Sequence, residues 1–137
     1  MFNVNFNYGL VLVSFASCAD NETPDNVQEA TILGRWVPQG FETNTRYDFT
    51  SDTRYTVYAA NEGEFPTEAE VIANNPAGLT HSWEYSGDTV VVDLNFGNYF
   101  KGVPTFRCDN NVLVWMMENG QEGGTLYREG HDISACN

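Results

Sequence analysis

The sequence predicts an all-β fold, an eight-stranded antiparallel up-and-down barrel with one short helix inserted between strands three and four. Two observations carry this prediction. From residue 32 onward, apolar and polar side chains alternate with the period of two that half-buried strands show. The segments with this period are short and are joined mostly by tight turns, which favours antiparallel pairing of neighbours. Closing eight strands leaves no exposed sheet edge and encloses room for side chains or one small ligand.

The first four predicted strands alternate aromatic or branched side chains with polar ones. Their bounds are 32–37, 43–50, 53–60 and 80–85. Successive side chains of a strand point to opposite faces, so the alternation predicts which residues face the barrel interior. In strand three, Arg54 lies on the face opposite the apolar one. The aromatic side chains that we expect inside are Tyr47, Phe49, Tyr55, Trp83 and Tyr85.

The last four predicted strands are separated by turns and a loop rich in Gly and Asn. Their bounds are 89–96, 99–108, 112–117 and 125–129. The aromatic side chains that we expect inside these strands are Phe96, Phe106 and Trp115. Gly102 and Pro104 interrupt strand six and indicate a bulge or an edge irregularity there.

One segment, residues 66–75, breaks the period of two and is predicted to be a helix. Thr67 followed by Glu70 has the spacing of a capping box, and Pro76 ends the helix. We expect a surface connection, with a plug or lid at one barrel end as the alternative. The nearby carboxylates have no calcium-loop spacing, so we expect a solvated acidic face rather than a calcium site. They are Glu62, Glu64, Glu68 and Glu70.

The N-terminal region contains an apolar run, residues 10–18, that ends in small residues and Cys18 and is followed by an acidic stretch. This pattern resembles a bacterial lipoprotein signal with Cys18 as the lipid-bearing residue. We expect residues 1–17 to be the signal segment, 18–30 the lipidated cysteine with a flexible acidic tether, and 31–137 the barrel with its C-terminal tail. An ordinary secretory peptide, or a buried N-terminal strand with a structural cysteine, is the alternative.

The predicted lipidation, the cysteines and the net charge indicate where the protein is located and which partners it can bind. Lipidation implies a protein of the cell envelope, anchored to the outer membrane and either periplasmic or surface-exposed. There, Cys108 and Cys136 can form a disulfide, whereas without export they would be free thiols. The net charge of −13 excludes nucleic acid as a partner and leaves the lipid at Cys18 as the expected membrane contact.

Three residues carry a resemblance to a known family. Gly34 and Trp36 form a Gly-x-Trp pair in the first strand, and Arg128 lies in the last strand. With eight strands and a lipoprotein-like start, this pattern resembles the lipocalin-like (calycin) small lipoproteins of Gram-negative bacteria. In that family the tryptophan closes the barrel base, and the arginine stacks on it and bonds backbone carbonyls. The resemblance therefore implies structural roles for these residues, although the family's second motif, a Thr-Asp-Tyr type turn, is missing.

The expected function is binding of a small hydrophobic ligand, with the eight inward-facing aromatic residues as its candidate contacts. Two alternatives stay open. The rings could fill the barrel completely and make it purely structural. The chain could also be a protein-binding module, such as an inhibitor of proteases or of basic lysozymes, because its negative charge suits a cationic partner. Catalytic and cofactor motifs are absent, so we expect no enzyme, no cofactor and no metal site.

Overall fold

The computed structural model of the protein describes residues 30–74 and 79–136. Eight strands and one α-helix follow one another within them. The helix α1, Glu68–Asn74, lies between β3 and β4, and a short 3-10 helix, Ile133–Ala135, lies near the C-terminus. The strands are β1 Gly34–Pro38, β2 Thr45–Phe49, β3 Thr53–Tyr58, β4 Thr80–Ser86, β5 Thr89–Asp93, β6 Tyr99–Arg107, β7 Val112–Met116 and β8 Glu122–Arg128.

The eight strands form one closed antiparallel barrel. Each strand pairs with the next in the chain, and β8 pairs with β1 to close the ring. Trp36 in β1 lies directly opposite Arg128 in β8. The predicted fold class and the position of the helix are therefore confirmed. We call the end at which β1 begins and β8 ends the closed end, and the other the open end.

Several strand boundaries differ from the predicted ones. β8 begins at Glu122 rather than at residue 125, because a tight turn in which the Met117 N–H donates to the Gln121 carbonyl brings β8 alongside β7 early. Across Gly102 and Pro104, β6 keeps a regular register with its neighbours. The irregularity lies instead between β7 and β8, beside Val114.

The closed end of the barrel is filled by apolar side chains. The residues of this end that are almost fully buried are Ile32, Trp36, Val90 and Leu113. Removal of such side chains from water is the main driving force for folding, so this end holds the barrel together.

The helix α1 packs on the outer wall of the barrel and not in either mouth. Its buried residue Val71 contacts Tyr55 and Val57, which lie on the outer face of β3, together with Phe65. The capping box is formed as predicted: the Thr67 N–H donates to Glu70 Oε2 over 2.8 Å, and the Glu70 N–H donates to Thr67 Oγ1 over 3.2 Å. Because the helix covers β3, this strand is buried on both faces.

The C-terminal tail lies against β7 and is held by a disulfide. Cys108 and Cys136 are bonded, with Cα atoms 5.6 Å apart, inside the usual range for disulfides. Ile133 of the tail lies beside Val112 and Val114, whose side chains are on the outer face of β7. The chain-entropy model gives a stabilisation of about 3.5 kcal/mol for a bridge that spans 28 residues.

Within the described ranges, no helix combines the length and apolar character needed to cross a bilayer. In the same part of the chain, no three His, Cys, Asp or Glu side chains come together as a metal site would require.

Candidate functional site

The closed end is sealed by one tryptophan and one arginine. The Arg128 guanidinium carbon lies 3.8 Å from the centroid of the Trp36 ring. Its Nη1 donates to the Leu33 carbonyl over 2.6 Å and its Nη2 to the Thr31 carbonyl over 2.7 Å. The cation thus stacks on the indole and ties the chain before β1 to the end of β8. This is the arrangement that the family resemblance implied for Trp36 and Arg128.

Gly34 makes room for this arginine. Its φ of +98° is a backbone conformation that residues with a side chain rarely adopt. A Cβ at this position would lie 2.9 Å from Arg128 Nη1. Gly34 therefore contributes to the closed end through its missing side chain.

A cavity of about 240 Å³ occupies the open end. This volume is slightly below the roughly 300 Å³ at which ligand pockets of proteins begin. Its wall combines aromatic, aliphatic and a few polar residues from β1 to β3, β5 to β8 and the segment after β1. They are Pro38, Gln39, Phe41, Tyr47, Phe49, Arg54, Val92, Phe100, Trp115, Gly124, Thr125 and Leu126.

The segment after β1 forms the edge of the cavity. The Gln39 N–H donates to the Thr125 carbonyl over 3.0 Å, and the Phe41 N–H donates to the Pro38 carbonyl over 3.0 Å. These bonds fix Phe41 at the cavity with 56% of its surface exposed. The cavity therefore reaches solvent beside an apolar ring.

The apolar wall is rigidly packed. Phe100 and Trp115 meet edge to face with ring centroids 5.1 Å apart. A Cβ on Gly102 would lie 3.1 Å from both rings, so a larger residue would push them. The absence of a side chain at Gly102 thus lets two rings share this wall without strain.

Arg54 supplies a positive charge to the cavity. It projects inward from β3, since its cross-strand partners Phe49 and His81 are on the inner face. Its guanidinium carbon lies 4.9 Å from the Tyr47 ring centroid, and Nη2 is 3.3 Å from His81 Nδ1. Arg54 Nε is buried without a hydrogen-bond partner. Burial lowers the pKa of Arg54 from its usual value, but an arginine stays charged at neutral pH.

His81 is neutral at pH 7 because burial, and secondly the charge of Arg54, lowers its pKa below 6.5. In the tautomer with hydrogen on Nε2, the free Nδ1 accepts a hydrogen bond from Arg54 Nη2. The histidine thus leaves the positive charge of Arg54 uncompensated.

A second charged cluster lies on the outer wall and is internally paired. Arg35 donates to both carboxylate oxygens of Asp48, over 2.7 and 2.8 Å. Glu129 lies 3.7 Å from Arg35 Nη1 and 3.5 Å from Arg46 Nε. Glu68 of α1 is near this cluster, and burial, followed by the charge of Asp48, raises its pKa. Since both arginines have carboxylate partners here, the cluster fixes the wall and offers no unpaired cation to a ligand.

Three of the eight aromatic residues predicted to face the interior lie in the cavity wall: Tyr47, Phe49 and Trp115. Trp83 belongs to the buried core, where it meets Phe49 edge to face with ring centroids 5.8 Å apart, and the partly buried Phe106 packs against this core. Tyr85 packs against Trp83 and is half exposed.

The expectation of inward-facing side chains is wrong for two residues. Tyr55 is buried on the outer face of β3, because α1 covers that face and Arg54 takes the inner one. Phe96 is fully exposed at a φ of +55°, because β5 ends at Asp93 and the chain turns. The Asn98 N–H donates to the Asn95 carbonyl across this turn.

Sequence reasoning missed Arg54 and Phe100 as cavity residues. Phe100 could have been found from the alternation of the strand. It lies six positions before Phe106, which was predicted to face inward, and residues an even number apart in a strand share a face. For Arg54 the signal was the predicted helix, since an amphipathic helix needs an apolar surface to pack on. Tyr55 and Val57 provide that surface, which turns Arg54 inward.

No protein-family model, curated protein sequence or solved structure matches the chain. The expected signal segment, Cys18 and the tether up to residue 29 lie outside the described residues.

Proposed function

We propose that the protein is a lipocalin-like binding protein of the cell envelope that holds a small, largely apolar ligand in the open-end cavity. The observation that carries this proposal is the uneven filling of the barrel. Core side chains pack the closed end, while a cavity of about 240 Å³ with aromatic walls remains at the other end. A purely structural barrel has no need of such a space, because interiors normally pack without voids larger than a water molecule.

Two further features support ligand binding. The cavity reaches solvent beside the exposed ring of Phe41, so a ligand has access. The closed end is locked by Arg128 and Trp36, so the opening is confined to one end. Pre-formed apolar cavities with few polar groups are the usual form of small-molecule sites. No catalytic step is part of this proposal.

Calorimetric titration of the full chain with 1-naphthylmethanol, a neutral aromatic alcohol, tests the binding. At about −0.5 kcal/mol for each of its 12 or so heavy atoms, its Kd is expected in the tens of micromolar. Gly124→Phe should abolish binding, because a Cβ there meets no atom within 4 Å and the ring would occupy the cavity. Ser82→Phe, which adds the same ring to the exposed outer face of β4, is the matched control and should bind normally.

Two results would overturn the binding proposal. One is no heat of binding from the wild-type chain at millimolar alcohol. The other is equal binding by the Gly124→Phe and Ser82→Phe variants, which would place the ligand outside the cavity.

The envelope location rests on the apolar run that ends at Cys18. Intact-mass measurement of protein extracted from membranes should give a chain that starts at Cys18 and carries acyl groups. A Cys18→Ser variant should lose the acyl mass and leave the membrane fraction. A mature chain without acyl mass would contradict the anchor but not ligand binding.

A further inference from the structure

We propose that the cavity selects a small organic carboxylate, with its apolar body against the aromatic wall and its carboxylate on the guanidinium of Arg54. This inference rests on the proposed function and names the class of ligand. It follows from how this chain distributes its charges, from the unpaired state of Arg54 and from the shape of a guanidinium group.

The charge distribution around the cavity is the reverse of that of the whole chain. The protein has 19 acidic and 6 basic residues. Among the described residues that line the cavity, Arg54 is nevertheless the one with a charge. A wall built only to bind neutral apolar molecules would hold no charge, because burial of an unpaired charge is costly.

Every other arginine of the chain has oxygen partners. Arg35 and Arg46 share carboxylates on the outer wall, Arg107 pairs with Glu122, and Arg128 donates to two carbonyls. Among the residues that the structure describes, Arg54 has neither a carboxylate nor a carbonyl partner. Its polar neighbour in this part of the chain is the ring nitrogen Nδ1 of His81, and burial lowers the pKa of this histidine, which favours the neutral ring.

The geometry leaves donors of Arg54 for a ligand. The Tyr47 ring packs against the guanidinium at 4.9 Å, and His81 takes one hydrogen bond from Nη2. Nε is buried and has no acceptor. A carboxylate accepts two parallel hydrogen bonds from the N–H groups along one edge of an arginine. Because no acceptor in the wall compensates this charge, a carboxylate in the cavity that bonds the outer N–H groups of the guanidinium would neutralise it.

The rest of such a ligand would meet apolar side chains. Phe49, Val92, Phe100 and Trp115 line the same cavity as Arg54. A flat or short apolar body of on the order of ten heavy atoms suits the volume of about 240 Å³. Aromatic and short-chain aliphatic acids combine this body with a carboxylate.

Three ligands with one scaffold test the selection: 1-naphthoate, 1-naphthylmethanol and 1-naphthylmethylamine, which are an anion, a neutral molecule and a cation at pH 7. On the wild-type full chain, calorimetry should give naphthoate a Kd at least about tenfold lower than the alcohol. The amine should bind more weakly than the alcohol, because Arg54 repels it.

Arg54→Met keeps the length of the side chain and removes the charge. It should bring the affinity for naphthoate down to the affinity that the same variant shows for the alcohol, so that the ratio of the two Kd values falls to about one. Urea unfolding shows independently of ligand binding that the variant is folded. Arg54→Lys should keep part of the preference, because Lys retains the charge without the bidentate edge. Arg107→Met removes an exposed arginine outside the cavity and is the matched control.

The results separate the two proposals. If the alcohol binds and naphthoate binds no tighter, the carboxylate inference is wrong and the binding function stands. If Arg54→Met keeps the full preference for naphthoate, Arg54 is not the anion site and the inference is also wrong. If none of the three ligands binds the wild-type chain, both proposals fail.

Discussion

Replacement of Gly34 by alanine tests how the closed end is built. The change adds one methyl group where φ is +98° and where Cβ would lie 2.9 Å from Arg128 Nη1. The guanidinium must then move away, although it is held over Trp36 and bonded to the carbonyls of Leu33 and Thr31. Both effects destabilise the folded state.

The structure gives the approximate free energy of each of these two effects. A residue with a side chain in such a backbone conformation costs roughly 1–3 kcal/mol. Weakening the charged hydrogen bonds of Arg128 costs about 1.5–3 kcal/mol for each bond that is lost. We therefore expect Gly34→Ala to lower the free energy of unfolding by about 3–5 kcal/mol, which corresponds to a fall in Tm of about 10–20 °C for a domain of this size.

Urea unfolding followed by tryptophan fluorescence measures this change, with an unchanged m value as the sign that only stability differs. Gly124→Ala is the matched control in another strand, because its φ is not positive and its Cβ meets no neighbouring atom. That variant should be neutral or slightly stabilised. In an Arg128→Met background, Gly34→Ala should lower the free energy of unfolding only by the contribution of the unfavourable backbone conformation, because no guanidinium is then displaced. A loss below about 1 kcal/mol in the wild-type background, or full additivity of the two changes, would refute this description of the closed end.

Three other predictions concern the outer wall, the cavity and the tail. Asp48→Ala leaves Arg35 buried without its main partner, so urea unfolding should show a loss of about 3 kcal/mol. In an NMR titration, His81 should show a pKa below 6.5, since burial disfavours its charged form. The folded state then binds fewer protons at His81 than the unfolded state, so this residue lowers stability as pH falls through 6.5. Cys136→Ser should cost about 3.5 kcal/mol by removing the bridge to Cys108.

Each of these predictions has a control and a contrary result. For Asp48, the control is Glu84→Ala on the exposed face of β4, and an equal effect of both changes would contradict a buried pair. For His81, Arg54→Met should raise the histidine pKa, and a pKa at or above 6.5 in the wild type would contradict the burial. For the bridge, a reductant should destabilise the wild type by as much as Cys136→Ser does. No effect of reductant would mean that the two sulfurs are not bonded.

The architecture could be predicted because the signals that set it are local. Alternation with a period of two marks each strand, and the pairing of Trp36 with Arg128 marks where the ring closes. The capping box of Thr67 and Glu70 marks the start of the helix. Each of these patterns depends on residues close in the chain or on one recognisable pair.

The inner face could be predicted only in part, because β3 is buried on both sides. Alternation alone assigns the apolar residues Tyr55 and Val57 to the interior, but α1 covers the outer wall and takes them as its packing surface. Arg54 then faces inward, where a charge is not expected. The orientation of β3 is thus set by its contact with α1, and the period of two within the strand carries no information about that contact.

Strand ends were harder to predict than strands. The apolar face that runs through Val90 and Val92 continues in sequence to Phe96, but the turn begins earlier. Asn95 and Phe96 both have positive φ and lead into Gly97. Turn residues with large side chains carry no compositional signal, so the exposed position of Phe96 could not be seen in the pattern.

The central claim is that a ligand lies inside the open end of the barrel, and contacts seen by NMR test it most directly. Nuclear Overhauser effects from bound 1-naphthylmethanol should reach the side chains of Val92, Phe100 and Trp115, which line the cavity. Effects confined to the exposed rings of Phe96 and Tyr99 would show instead that the ligand adheres to the surface and that the interior is closed.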